Sequence, residues 1–94
     1  MDQHLPLELL ESTHAFPGVY QIKAIGSAED DFSGRVVSAV HGEIAVPSDL
    51  DYSVRSTPDG RHISLTLDVR VQSAEQVRSI YARVRELKGL KLLL

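Results

Sequence analysis

From His62 to Val71 the chain alternates without a break. Ile63, Leu65, Leu67, Val69 and Val71 are apolar, and His62, Ser64, Thr66, Asp68 and Arg70 between them are polar. A period of two is the signature of a strand with one face on a core and the other toward water. No helix can gather these five apolar residues on one side. The segment just before it is a turn. In Thr57-Pro58-Asp59-Gly60 the proline presets φ and the glycine accepts a positive φ. Upstream, Leu50, Tyr52 and Val54 alternate with Asp51, Ser53 and Arg55. The two runs therefore predict a β-hairpin.

The flanking segments fix what the hairpin packs against. Val19 to Ile25 predicts a first strand, with Tyr20, Ile22 and Ala24 alternating against Gln21 and Lys23, and Gly26 stopping it. Phe32, Val36, Ala39 and Val40 recur at helical spacing, with Ser27 or Asp30 as the expected cap and Gly42 near the end. Glu29, Asp30 and Asp31 sit where the helix dipole favours acids, and Gly34 weakens this helix by ~1 kcal/mol relative to alanine. Residues 43–49 read as a loop containing Pro47. Ser73-Ala74-Glu75-Gln76 is a capping box. It opens a second helix with the stripe Val77, Ile80, Tyr81, Val84 and Leu87, and Gly89 is its expected stop. Leu90 to Leu94 predicts a last short strand, with Leu90, Leu92 and Leu94 toward the helices and Leu93 beside Lys91 on the open side. At the N-terminus, Leu5-Pro6-Leu7-Glu8-Leu9-Leu10-Glu11 predicts a short helix ended by Phe16-Pro17-Gly18. The order is βαββαβ, which two right-handed split βαβ units fold into a ferredoxin-like α+β sandwich. That sandwich has a four-stranded antiparallel sheet with both helices on one face. The expected division is a helical lead-in at residues 1–15 and the sandwich at 16–94.

With 94 residues the natural count is one domain. No apolar run approaches the ~20 residues that span a bilayer. The start Met1-Asp2-Gln3-His4 has neither the basic region nor the apolar stretch of a secretory signal, so a cytoplasmic location is expected. The chain has no cysteine, which removes disulfides, thiolate metal sites and cysteine nucleophiles. The net charge of −3 divides unevenly: residues 1–60 carry −7 and residues 61–94 carry +4. A weakly acidic chain is a poor general binder of nucleic acid. Its basic part could meet an acidic partner, or the acidic part of another copy.

Several short runs resemble the YbeD-like family, small bacterial proteins of unknown function (DUF493/UPF0250). They are Leu9-Leu10-Glu11, Phe16-Pro17, Ile22-Lys23 with Gly26, the turn glycine Gly60, and Ser64 with Thr66. Glu75-Gln76-Val77, Ile80-Tyr81 and the closing Lys91-Leu92-Leu93-Leu94 continue the likeness. It covers nearly the whole chain in order. Departures lie in Gly34 and in residues 43–49. The resemblance implies a ferredoxin-like fold similar to the ACT regulatory domains of amino-acid metabolism, and it brings no catalytic residues with it.

Two groups of residues are candidates for binding. The first is the loop Gly26, Ser27, Glu29, Asp30 and Asp31, which in ACT domains often meets an effector. Its three acids repel phosphate and would better tolerate an amino group; helix capping explains the same residues without a ligand. Consecutive carboxylates at a helix start diverge, so no metal is expected there, and His4, His14, His41 and His62 lack metal-ligand spacing. The second group is a partner surface of Arg78, Arg83 and Arg85 on the second helix, with Lys91 and Leu93 on the last strand. Glu75 and Glu86 lie among the arginines, so a solvated face with helical ion pairs is the plainer account. An edge strand there also predicts a weak homodimer or a partner strand.

Catalytic chemistry finds little footing. His62, Ser64 and Asp68 lie flat on one strand, with no activating turn or oxyanion pocket. The open-face positions Gln21, Lys23, His62, Ser64 and Thr66 lack the aromatics on which RNA bases stack. The acidic loop is opposite in charge to the phosphate cradle of acylphosphatases. The expectation is a non-enzymatic regulatory or protein-interaction domain without a cofactor. The alternative is an ACT-like sensor of a small amino acid or related metabolite at a subunit interface.

Overall fold

The computed structural model describes residues 15–94 together with Leu7 and Leu9. The expected N-terminal helix otherwise lies outside the described residues; Leu7 and Leu9 have helical backbone, and Leu7 packs against the core. The elements are β1 (Gly18–Ser27), α1 (Phe32–His41), β2 (Leu50–Ser56), β3 (His62–Val71), α2 (Ala74–Arg85) and β4 (Leu90–Leu93). A single 3-10 turn, Pro47–Asp49, leads into β2. The strands form one antiparallel sheet in the order β2-β3-β1-β4, which is the ferredoxin-like arrangement.

β3 is the central element because its alternation is longest. It pairs with β1 along its whole length, from Gly18 opposite Val71 to Ser27 opposite His62. Leu65, Leu67 and Val69 are completely buried, as are Val36 and Val40 of α1 and Val77, Ile80 and Val84 of α2. Removing a side chain of this size from water contributes about 1.5–3 kcal/mol. Among the described residues no polar or charged side chain is buried, so the core is wholly apolar.

The structure departs from the sequence expectations in four places. Gly26 does not stop β1: the strand continues to Ser27, and Gly26 pairs with Ile63 on one side and Leu90 on the other. A Cβ on Gly26 would overlap the buried Phe32 ring, falling 2.7 Å from Cε1 and closer still to Cζ. Asp31, not Ser27 or Asp30, caps α1, its carboxylate accepting from the Gly34 N–H at 3.3 Å. Asp31 adopts φ 51°, a left-handed conformation that Asp tolerates better than most residues. Gly34 is also explained, because a Cβ there would fall 2.7 Å from the Asp31 carboxylate carbon.

The third departure is β2. Tyr52 and Val54 stand opposite the buried Leu67 and Leu65 and so face the helix side, yet each remains 47% exposed. Only Leu50, at the start of this edge strand, is buried; the helices do not cover Tyr52 and Val54.

The fourth concerns β4, where Leu90 packs against the core as expected but the faces of Leu92, Leu93 and Leu94 are reversed. Leu93 pairs with the buried Ala24 and packs against the core, whereas Leu92 pairs with Ile25 and is exposed. A β-bulge shifts the register between Ile25 and Gly26, so that Leu90 rather than Lys91 stands opposite Gly26. One extra residue in a strand exchanges its two faces. Lys91 occupies the bulge and is exposed.

Candidate functional site

The acidic loop is built to start α1. Ser27 Oγ accepts from the Glu29 N–H at 3.3 Å, and the Ala28 N–H donates to the Arg61 carbonyl at 2.9 Å. Arg35 fastens the loop from the helix side. Its Nε donates to the Asp30 carbonyl at 2.9 Å and its Nη1 to the Lys88 carbonyl at 2.8 Å, with the guanidinium over the Phe32 ring. Glu29, Asp30 and Asp31 are exposed, and among the described residues no group of acids and histidines converges as a metal site would require. Gly26, Ser27 and Asp31 thus each have a structural task, in the strand, the turn and the cap.

The basic residues do not form one face. Arg83 pairs with Glu43 at 3.0 Å, on the side of α2 nearest the end of α1. Gln76 reinforces that junction, donating to the Glu43 carbonyl at 2.9 Å and accepting from the Gln72 N–H at 2.7 Å. Gln76 therefore reaches back one residue further than a standard capping box, while Ser73 Oγ accepts from the Gln76 N–H as expected. Arg78 lies beside Glu75 and Ser79 on a shallow outer depression. Arg85, two residues and about 200° around the helix from Arg83, points to the opposite flank, toward β4.

That flank holds the principal cavity among the described residues, a groove of about 680 Å³ lined by Tyr20, Tyr81, Arg85 and residues 90–94. Tyr20 and Tyr81 meet edge to face, their ring centres 6.2 Å apart. The Tyr81 hydroxyl donates to the Leu94 carbonyl at 3.0 Å. Burial pushes the Tyr81 phenol above the usual tyrosine range, and Tyr20 beside it adds to the effect. Tyr81, donating as a neutral phenol, holds the end of β4.

β4 is one of the two edge strands of the sheet. Lys23 and Leu94 exchange both of their backbone hydrogen bonds, at 3.1 and 2.8 Å. In an antiparallel ladder the neighbouring residue then turns its N–H and C=O the other way. Leu93 accordingly directs its backbone groups away from β1, at the mouth of the groove, while its side chain goes to the core. The two charged side chains lining the groove, Arg85 and Lys91, are both cations. The sequence marked Arg85, Lys91 and Leu93, but Tyr20 and Tyr81 read only as core-facing residues. Their shared position beside a strand edge depends on packing between elements far apart in the chain.

On the open face, His62, Ser64 and Asp68 stay apart as a single strand requires. His62 and Asp68 are six residues distant, roughly 20 Å along an extended chain. Asp68 accepts instead from Gln21 Nε2 at 3.0 Å across to β1. No helix among the described residues is long and apolar enough to cross a membrane.

These features define a small α+β sandwich of ferredoxin-like fold, carrying an edge-strand groove and no convergent acid, base and nucleophile set among the described residues. The chain belongs to the family described as "Protein of unknown function (DUF493)", whose match covers residues 11–94. It is 36% identical over 87 residues to a UPF0250 protein of Shewanella piezotolerans, covering 93% of this chain and 92% of that one. A UPF0250 protein of Shewanella woodyi shows the same identity and coverage. Among solved structures it is similar to the solution structure of protein HP0495 from H. pylori. That likeness has a TM-score of 0.64 at 11% identity and covers 99% of this chain and 98% of that one, which establishes the fold alone.

Proposed function

We propose that this chain is a non-enzymatic interaction domain that takes up an extended protein segment along β4. The observation that carries the reading is the groove in which Tyr81 and Arg85 of α2 stand over the outer edge of the last strand. An edge strand offers main-chain pairing, and an adjoining pocket lends side-chain selectivity; together these are the requirements of strand addition. The family's unknown function is compatible with such a role. A copy of the chain could occupy the same edge, as the expected weak homodimer would. Two β4 edges brought together, however, would set Arg85 and Lys91 of each copy near those of the other, and like charges oppose that contact.

The sensor alternative has narrower support. It rests on the likeness to ACT domains, and fold likeness is weak evidence for function. The loop from Gly26 to Asp31 already uses Ser27 Oγ in its own turn and the Asp31 carboxylate to cap α1.

Capture of partners from a bacterial lysate on the immobilised chain tests the proposal, comparing wild type with Leu93→Pro. Proline removes the outward N–H and is tolerated on edge strands whose N–H faces outward. Partners retained by wild type and lost by the folded variant are expected. Identical sets from both would reject the β4 edge. Melting the chain with a panel of amino acids tests the sensor, since a ligand that binds the native state must raise the midpoint.

A further inference from the structure

We infer that two copies of this chain pair through β2, strand against antiparallel strand about a twofold axis at Ser53, joining two four-stranded sheets into one. This goes beyond the reading above, because it concerns the opposite edge of the sheet. Asp51 to Ser56 are all exposed along that edge. The direction of its backbone groups follows from the hairpin. The Thr57 N–H donates to the His62 carbonyl at 2.9 Å, and the same register sets Arg55 opposite Ser64, Ser53 opposite Thr66 and Asp51 opposite Asp68. Antiparallel strands alternate bonded and non-bonded pairs, so Tyr52, Val54 and Ser56 turn their N–H and C=O groups away from β3. The Leu50 N–H is taken by the Pro47 carbonyl, which centres the open ladder on Tyr52 and Val54.

A second strand is accepted only where outward residues meet outward residues. An antiparallel copy centred on Ser53 meets that condition. Tyr52 stands opposite Val54 of the second copy, Leu50 opposite Ser56, and all seven residues of the strand are used. The side chains then match on both faces. On the open face Asp51 meets Arg55 twice, once on each side of the axis. Among the described residues neither has a side-chain hydrogen bond or ion pair, and Asp51 already faces Asp68 on β3, so a cation on its other side is favourable. On the helix side Tyr52 packs against Val54, and the apolar surface that each leaves exposed is covered. Charges on an edge strand ordinarily prevent pairing. Here their order prevents the wrong registers: centring on Asp51 or on Arg55 sets like charges opposite each other, as does parallel pairing in register. The twofold contact is closed, so this pairing ends at two copies.

Sedimentation of the wild-type chain tests the inference, with a dimer expected to build up between about 10 µM and 1 mM, because an interface of this size is weak. Asp51→Arg or Arg55→Asp alone turns both ion pairs into repulsion and should weaken the dimer about tenfold or more. The two single variants mixed should form a heterodimer, and Asp51→Arg/Arg55→Asp should dimerise as wild type does, each confirmed folded by circular dichroism. The chain has no cysteine, so Ser53→Cys reads the register directly. Non-bonded antiparallel pairs lie about 4.5 Å apart at Cα, within disulfide reach. Ser53→Cys should therefore cross-link under mild oxidation, and Ser56→Cys, about 20 Å from its counterpart, should not. A monomer throughout that concentration range, a dimer indifferent to the single charge reversals, or equal cross-linking of both cysteine variants would overturn the inference. A dimer dissociated by Leu93→Pro would move the second copy to β4 and overturn it as well.

Discussion

Gly26→Ala separates a structural from a ligand-binding role for the acidic loop. The glycine lies in β1 directly under the Phe32 ring, and Phe32 is 1% exposed. A methyl group at Gly26 would need space that three ring carbons already fill, at separations far below van der Waals contact. The ring has no open route, since it is enclosed by the sheet and the core. Overpacking of this kind destabilises by about 1–3 kcal/mol. For a domain under 100 residues each kcal/mol lowers the midpoint by about 4–8 °C, so a fall of roughly 4–24 °C is expected in thermal unfolding followed by circular dichroism. Phe32→Leu alone should also destabilise, because it leaves a gap. The double variant should nevertheless be more stable than the sum of the two losses, with a coupling of about 1 kcal/mol or more, because the smaller side chain makes room for the methyl. A Gly26→Ala protein melting within a degree of wild type, or strict additivity of the pair, would refute the packing argument. The loop's glycine would then be open to a functional explanation.

Three further outcomes follow from the same geometry. Leu65→Ala, at a completely buried position on the central strand, should cost about 2–5 kcal/mol in urea denaturation. Gly34→Ala should gain almost nothing, because ~1 kcal/mol of helix propensity is offset by ~1 kcal/mol from the displaced Asp31 cap. In an Asp31→Gly background, where that carboxylate is gone, the same substitution should stabilise by about 1 kcal/mol, and no difference between backgrounds would reject the clash. Tyr81 keeps its proton in the folded chain beyond the ordinary value of 10.0, so the stability it contributes is complete below that pH and declines as pH rises above it. Denaturation from pH 8 to 11 should show a decline that Tyr81→Phe reduces; an equal decline in both proteins would exclude Tyr81 as its source.

The fold was legible because its strongest signals are local and periodic. The alternation of β3 and the helical stripes of Val36 and Val40, and of Ile80 and Val84, all report the same buried layer. What escaped the sequence depended on contacts between segments. The alternation places Leu90 correctly but not Leu92, Leu93 and Leu94, because a bulge is a matter of pairing with β1, and Leu90-Lys91-Leu92-Leu93-Leu94 offers apolar side chains to either register. Tyr52 and Val54 alternate as core residues do, but alternation gives the side of the sheet and says nothing of how far the helices extend over it. The cap of α1 passed to Asp31 because the order Glu29-Asp30-Asp31-Phe32 offers several acids, and the choice depends on where the Phe32 ring must sit over Gly26.

The two edges of the sheet are not equivalent, and the difference favours β4 as the one that takes up a segment of another protein. β2 is longer, but along it Asp51 and Arg55 alternate charge on the open side. Its half-exposed Tyr52 and Val54 offer mainly apolar surface. β4 presents fewer backbone groups, yet Tyr81 holds its end in place and Arg85 stands beside it. Main-chain pairing alone is nearly indifferent to sequence, so selectivity must come from side chains fixed next to the edge. Tyr81 is fixed by a hydrogen bond and a neighbouring ring, and Arg85 is carried on the last turn of the helix that supplies Ile80 and Val84 to the core. The burial that stabilises α2 thereby also sets the position of the side chains that line the groove, and on the proposed reading a short edge with rigid neighbours discriminates where a long bare one cannot.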